Sequence, residues 1–290
     1  MIISTDNSVI RCAYGDIEAL HMIRKAGFDG IDYTFYDMDP ANDILDLPED
    51  ERRALAYDIR NTAEKIGISF PQCHAALKYG YGEGEDSKNY RDILRSMEYA
   101  YLIGCKQIVI HTVRVPRNVR GLDPFAINLD FMRGFIPIAE KYDLTIGVEN
   151  LFHRNKKLGC FHGRNETPEK MNAFVDALGS DRFRVCCDLG HAAICGTEPE
   201  YFIEGMSAER MTMLHVQDTD YKDDCHALPF LGKHNWDAIT SALAKIGFSG
   251  AMNLEVLHFY DKFPPELMQS ALCMAAETAK KLADMVESKK

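Results

Sequence analysis

Two glutamates in this chain stand where glutamate is out of place. Glu149 closes the run Ile146-Gly147-Val148-Glu149-Asn150, and Glu255 lies in Asn253-Leu254-Glu255-Val256. Glutamate is depleted in strands, and an unpaired buried charge costs several kcal/mol. Other short β-rich runs end in groups of related chemistry: His74, His111, Asp188 with His191 just beyond it, and His215. A single histidine at a strand end is ordinarily a hydrogen-bonded structural residue. Convergence changes that reading. Two strand glutamates, an aspartate and a histidine on neighbouring strands satisfy one another by holding a divalent cation. Three carboxylates and one imidazole suit Mn²⁺, Co²⁺, Mg²⁺ or Zn²⁺ and leave coordination positions for substrate oxygens. Without the cation, the same carboxylates lie buried together with no counter-charge.

The elements that must position these groups alternate along the chain. Strands are expected over 2–4, 30–34, 68–74, 107–112, 144–150, 184–188, 211–215 and 251–256. Helical spacing covers 17–25, 49–65, 88–103, 124–142, 199–204, 236–246 and 265–286, and a further helix runs from Thr167 to near Gly179. Thr167-Pro168-Glu169 reads as an N-cap, a proline at the first helical position and an acidic first turn. Gly67 and Gly104 stand where a glycine C-cap belongs. The strands are apolar enough to be buried on both faces, as parallel strands with helical crossovers are. The reading is an α/β fold, a single (β/α)₈ TIM barrel spanning 1–290 as one domain. Such barrels carry their chemistry at the C-terminal ends of the strands, where the groups above fall.

Composition narrows the classes. The chain has 290 residues, 46% hydrophobic and 27% charged, with a formal net charge of −11. That balance argues against affinity built on neutralising nucleic-acid phosphates. No apolar run approaches the ~18–20 residues that span a bilayer, and the N-terminus lacks a basic region followed by an apolar one. The nine cysteines include no Cys-x-x-Cys pair. They read as reduced thiols in a cytoplasmic protein, with no nucleic acid and no membrane as partner. The sequence leaves the oligomeric state open, a homo-oligomer included.

Longer motifs carry a resemblance. They are Gly27-Phe28-Asp29-Gly30-Ile31, Gly147-Val148-Glu149-Asn150, Cys187-Asp188-Leu189-Gly190-His191 and His215-Val216-Gln217-Asp218. Asp224-Cys225-His226 with Pro229, Gly232 and Trp236 follows, and Asn253-Leu254-Glu255 closes the set. In this order the chain resembles the xylose-isomerase-like barrel superfamily, in its sugar phosphate isomerase/epimerase branch. The resemblance implies a metal held by Glu149, Asp188, His215 and Glu255. It implies that Glu149 and Glu255 also act as catalytic acid and base, one removing a proton beside a carbonyl and the other returning it from the opposite face. His191 resembles a histidine that touches substrate oxygens, and His74, His111 and His226 join it as substrate-binding candidates. The expected partner is a small-molecule carbohydrate: a sugar, a sugar phosphate or a polyol. The ketose 3-epimerases carry an arginine six residues after the strand-seven histidine, where this chain has Tyr221.

The same groups serve other chemistries. A dehydratase uses an identical base and metal, with the intermediate expelling a β-hydroxyl. The zinc apurinic endonuclease shares the barrel and binds three metals, and His74, His111, Asp224 and His226 match its additional ligands. A non-catalytic metal-binding subunit is a third class. Three segments add rim candidates. The stretch 151–166, with Arg154, Lys156, Lys157 and Arg164, reads as a basic loop or as a lid over an anionic substrate. Arg114, Arg117 and Arg120 form another basic element. Tyr79 and Tyr81 among Gly80, Gly82 and Gly84 suggest a flexible loop.

Overall fold

The computed structural model of the chain describes residues 1–35, 43–116, 121–155 and 160–290. Arg117, Arg120, Lys156 and Lys157 lie outside the described residues. Among the described residues ten strands form: β1 (Ile3–Asp6), β2 (Gly30–Thr34), β3 (Ser69–His74), β4 (Gln107–Ile110), β5 (Thr145–Glu149), β6 (Leu151–Asn155), β7 (Cys160–Arg164), β8 (Phe183–Asp188), β9 (Met211–His215) and β10 (Met252–Leu254). The helices begin with α1 (Ser8–Tyr14), α2 (Asp16–Ala26), α3 (Glu49–Ile66), α4 (Lys88–Ile103), α5 (Pro124–Arg133) and α6 (Ile136–Tyr142). They continue with α7 (Pro168–Leu178), α8 (Leu189–Ile194), α9 (Pro199–Glu204), α10 (Trp236–Ile246), α11 (Leu257–Tyr260) and α12 (Pro265–Glu287).

Eight strands make one parallel sheet in the order β10-β1-β2-β3-β4-β5-β8-β9. A parallel bridge between Val216 and Leu254 joins its two ends. Val216 N donates to Asn253 O at 2.8 Å and Glu255 N to Val216 O at 3.0 Å, so the last pair of strands meets just at the mouth. The result is the expected (β/α)₈ barrel. An apolar cluster fills the space between the strands and their helices, with Phe28, Phe135, Phe183, Phe202 and Phe248 fully enclosed. Among the described residues no helix is long and apolar enough to cross a membrane.

Two expected segments differ. The helix over 124–142 is two helices, α5 and α6, separated at Gly134 and Phe135. Pro137, in the first turn of α6, has no N–H to donate to Arg133 O, so the helical run breaks just before it. The stretch after β5 is not a loop but an antiparallel hairpin in which Leu151 pairs with Arg164 and His153 with His162. The loop with Tyr79 is tethered: Tyr79 stacks on Phe131 at 4.8 Å, and Gly80 N donates to Glu83 Oε1 at 2.8 Å.

Inside the barrel, the layers below the mouth are small and tight. Val109, Cys186 and Met213 form their own buried cluster. Gly147 faces it, and a Cβ there would meet Met213 Sδ at 2.7 Å and Val109 Cγ2 at 3.3 Å. Overpacking an enclosed layer typically costs about 1–3 kcal/mol. Gly147→Ala is therefore expected to lower the unfolding free energy by that much, read as a lower urea midpoint at unchanged slope; an unchanged midpoint would show that the layer has room.

Candidate metal and acid/base site

Parallel pairing sets the rim. Asp188 and His215 are register partners at the ends of β8 and β9, and Glu149 lies beside Cys186 at the end of β5. Glu255 follows the last residue of β10 and is buried. Alternation of side chains along each strand turns all four inward. Their ligand atoms lie within 4.8 Å of one another, a grouping able to hold a metal ion. His215 Nδ1 stands 3.2 Å from Glu149 Oε1, 3.3 Å from Glu255 Oε2 and 4.0 Å from Asp188 Oδ2. Two donors bound to one ion at ~2.0–2.2 Å are at most about 4.4 Å apart, so the group accepts an ion with shifts of a few tenths of an ångström.

His215 and Asp188 are oriented from behind. His215 turns its Nε2 toward Asp32 Oδ2 at 3.4 Å, which leaves Nδ1 for the cluster. Asp32, on β2 and 1% exposed, accepts in turn from Gln72 Nε2 at 2.7 Å and Asn253 Nδ2 at 2.8 Å. A carboxylate behind a ligating imidazole fixes its ring and raises its basicity. Asn150 grips the backbone of Asp188 at both ends, accepting from its N–H and donating to its carbonyl, each at 2.8 Å. Asp188 Oδ1 accepts from His191 N at 2.6 Å and so caps α8. Gln217 Nε2 donates to Asp188 Oδ2 at 3.1 Å and to Asp224 Oδ1 at 2.9 Å.

The four further histidines surround the same carboxylates. His111 Nε2 lies 2.7 Å from Glu149 Oε2, and His74 Nε2 lies 3.0 Å from His111 Nε2 and 3.5 Å from Glu149 Oε2. These three form a second grouping able to hold an ion. His191 Nδ1 stands 3.2 Å from Glu149 Oε1, and its Nε2 stands 3.5 Å from Asp224 Oδ2. His226 Nε2 is 3.1 Å from Asp224 Oδ2, while its Nδ1 meets Glu255 O at 2.9 Å. Phe152 of the hairpin packs edge-on against His191 at 4.9 Å. The four metal-ligand candidates and the four substrate-binding histidine candidates thus lie together at the barrel mouth. Asp32, Asn150 and Gln217 were not singled out, although a carboxylate inside a fully buried strand such as β2 carries the same signal that marked Glu255.

Tyr221 points elsewhere: its hydroxyl donates to Glu198 Oε2 at 2.9 Å. Asp218 explains the Pro229–Trp236 part of the motif, because it accepts from Phe230 N at 2.9 Å, His234 N at 3.1 Å and Trp236 Nε1 at 3.0 Å. It is a fastener for the loop after β9. Arg154 pairs with Asp223 at 3.5 Å on the surface.

The buried charges drive their proton affinities apart. Burial opposes ionisation of Glu149, yet the charges of His111 and His215 and the hydrogen bonds of His111 and His191 outweigh it and hold its carboxyl well below the usual range. Burial pushes Asp188 up to about 7, with Glu255, Glu149 and Asp224 adding to the effect and His191 opposing it. Burial drives His111 down to about 4 against the pull of Glu149. His226 rises to about 10, because Asp224 and Glu255 overcome its burial. Groups held in different protonation states side by side are what acid/base chemistry uses.

A family model described as xylose isomerase-like TIM barrel matches residues 20–281. The chain belongs to this family. Among xylose isomerase-like relatives, an inosose isomerase of Bacillus velezensis is 24% identical over 214 residues, 70% of this chain and 71% of that protein. The chain spans between 50% and 72% of the length of the curated relatives it matches. Among solved structures, a D-tagatose 3-epimerase-like protein superposes with a TM-score of 0.73 at 19% identity, covering 100% of this chain and 99% of that one. The IOLI protein with a binding zinc atom gives 0.69 at 20% identity, again over 100% and 99%. At these identities the structural likeness establishes the fold.

Asp6, at the end of β1, supplies a test of the electrostatics of the mouth. It is buried, and burial raises its carboxyl from 3.8 to about 6 against the hydrogen bonds of Ser8. Between these values the folded chain holds a proton that the unfolded chain has released, so stability falls as pH rises through the interval and the cost persists above it. Asp6→Asn keeps an acceptor for Ser8 and carries no charge. Relative to the parent, the variant is expected to gain on the order of 1 kcal/mol between pH 5 and pH 8 in urea denaturation. Equal differences at both pH values would show that Asp6 is not strained by its charge.

Proposed function

We propose that the protein is a divalent-metal-dependent isomerase or epimerase that moves a proton beside the carbonyl of a small carbohydrate, whether a sugar, a sugar phosphate or a keto-polyol. One observation carries this reading: Glu149 and Glu255 come from walls separated in the sheet by β8 and β9 and converge on the same imidazole nitrogen, at 3.2 and 3.3 Å. A substrate lying over that nitrogen has a carboxylate on each side. The inosose isomerases and the epimerase-like structure among the relatives support an enzyme of this type, and the zinc described for IOLI supports the metal.

Glu149, Asp188, His215 and Glu255 would hold the ion. A divalent ion supplies a Lewis acid for the negative charge that develops on the carbonyl oxygen. The chain's own residues do the rest. One glutamate takes the proton from the carbon beside the carbonyl, and the other delivers a proton from the opposite face. His191, held by Asp188 and Asp224, donates to substrate oxygens. Asp32 keeps His215 Nδ1 pointed inward. His74, His111 and His226 line the remaining contacts with the sugar. Loss of a β-hydroxyl instead of reprotonation would make the same machinery a dehydratase. The enzyme is proposed to work in the cytoplasm, the reading that its scattered cysteines, with no Cys-x-x-Cys pair, support.

A second reading rests on the grouping of His74, His111 and Glu149, which offers a place for another ion beside the first, as in a multi-metal phosphodiesterase such as the apurinic endonuclease. The net charge of −11 stands against a DNA substrate. A metal count near one per chain, with no cleavage of abasic DNA, favours the isomerase; two or three ions with cleavage favours the nuclease.

His215→Ala is expected to abolish metal retention through purification, measured by plasma mass spectrometry, and stoichiometric metal in that variant would contradict the ligand assignment. In deuterated water, turnover of ketohexoses or keto-inositols should place deuterium on the carbon beside the carbonyl. Retention of the substrate hydrogen would point to a hydride shift, and a product lighter by one water to the dehydratase. Glu149→Gln and Glu255→Gln, each saturated with metal, should lose about 10²–10⁴-fold in turnover, because the amide coordinates but exchanges no proton near neutrality. Near-normal turnover in either would place that base elsewhere.

A further inference from the structure

We propose that the cavity between the end of β4 and the β6–β7 hairpin is an anion site, shaped for one phosphate or carboxylate group. It has a volume of about 200 Å³ and is lined by Thr112, Arg114, His153, Arg164 and Asn165 over a floor of Phe125 and Phe174. That is below the ~300–1,000 Å³ of sites that enclose a whole small ligand, so it suits one group of a larger molecule or a small ion.

Its lining has an unusual charge. The chain carries 44 acidic residues against 33 lysines and arginines, yet no aspartate or glutamate is among the described residues that line this cavity. Arg114 Nη2 donates to His153 Nε2 at 3.0 Å, which holds the guanidinium at the edge of the cavity. Arg164 is fixed in place by donating from Nη1 to Thr112 O at 2.6 Å. Thr112 itself is 5% exposed, and its hydroxyl has no hydrogen-bond partner. A buried hydroxyl without a partner is a standing cost that a bound acceptor would relieve. An anion in the cavity would accept from that hydroxyl and from the guanidinium groups, the pairing for which arginine is best suited.

The position gives the site a use. Thr112 directly follows His111, whose ring reaches Glu149 Oε2 at 2.7 Å. A carbohydrate with its reacting carbon at the glutamates and an anionic group at its far end would extend toward Arg114 and Arg164. The site stands on its own lining; the assignment of the anion to the substrate rests on the isomerase or epimerase reading.

Inorganic phosphate is the probe for the site, titrated calorimetrically into the full-length protein as purified. Phosphate is expected to bind, and Arg114→Gln to weaken it about tenfold or more, while Arg114→Lys restores part of the loss. Arg114 is exposed, and an unchanged melting temperature confirms that the variant folds. No binding, or binding equal in Arg114→Gln and the parent, overturns the site, including the case in which phosphate sits on the metal. Substrate and free ion are then separated by kinetics. If the anion belongs to the substrate, Arg114→Gln raises KM for a ketohexose phosphate at least tenfold more than KM for the unphosphorylated ketohexose. Equal changes in the two KM values overturn the substrate assignment and leave a site for a free anion. The phosphate titration reads the cavity without turnover, so failure of the isomerase reading is distinguishable from failure of the site.

Discussion

The arrangement of this barrel mouth follows from the need to keep carboxylates ionised where water is excluded. Glu149 shows how it is met. Its Oε1 faces His215 and His191, both at 3.2 Å, and its Oε2 faces His111 at 2.7 Å and His74 at 3.5 Å. A lone carboxylate so enclosed would take up a proton; the pull of His111 and His215 and the hydrogen bonds of His111 and His191 keep it charged against its burial. The remaining supports serve the same end. Asp32 orients His215, Asn150 locks Asp188 to the end of β5, and Gln217 ties Asp188 to Asp224. Remove the charge requirement and none of these buried polar contacts has a reason to persist against an apolar core.

That requirement also divides the labour within the site. Imidazoles press Glu149 toward the ionised form, while burial, with the neighbouring carboxylates adding to it, raises Asp188 to about 7. Negative charge in excess of what the imidazoles neutralise is gathered where Glu149, Asp188, His215 and Glu255 meet, and a divalent ion is the natural complement. The barrel's closure matters here as well. The bridge between Val216 and Leu254 sits directly beside His215 and Glu255, so the seam of the barrel and its chemistry are held by the same few hydrogen bonds.

Much of this was legible before any coordinates. Alternating strands and helices gave the barrel, and strand ends gave His74, His111, Glu149, Asp188, His215 and Glu255, because residues of those types seldom sit in buried strands without a job. What escaped did so for physical reasons. Asp32 lies within β2, and reading only strand ends passed over it. Asp6 was missed because the first strand was expected over 2–4, whereas β1 runs on to Asp6. The hairpin escaped because its two strands are only five residues long, although the Phe-His doublet at 152–153 recurs at 161–162 and the two phenylalanine rings pack 5.5 Å apart across it. Contacts such as Gln217 with Asp188 join residues far apart in sequence and have no local signature.

The most direct test of the account is anomalous diffraction from crystals of the metal-loaded protein, collected at the absorption edge of the bound ion. The account predicts a peak at bonding distance, ~2.0–2.3 Å, from a carboxylate oxygen of each of Glu149, Asp188 and Glu255 and from Nδ1 of His215. A metal peak among His74, His111 and Glu149 with none at that quartet, or a quartet that stays empty in the presence of saturating Mn²⁺, Co²⁺ or Zn²⁺, would contradict it.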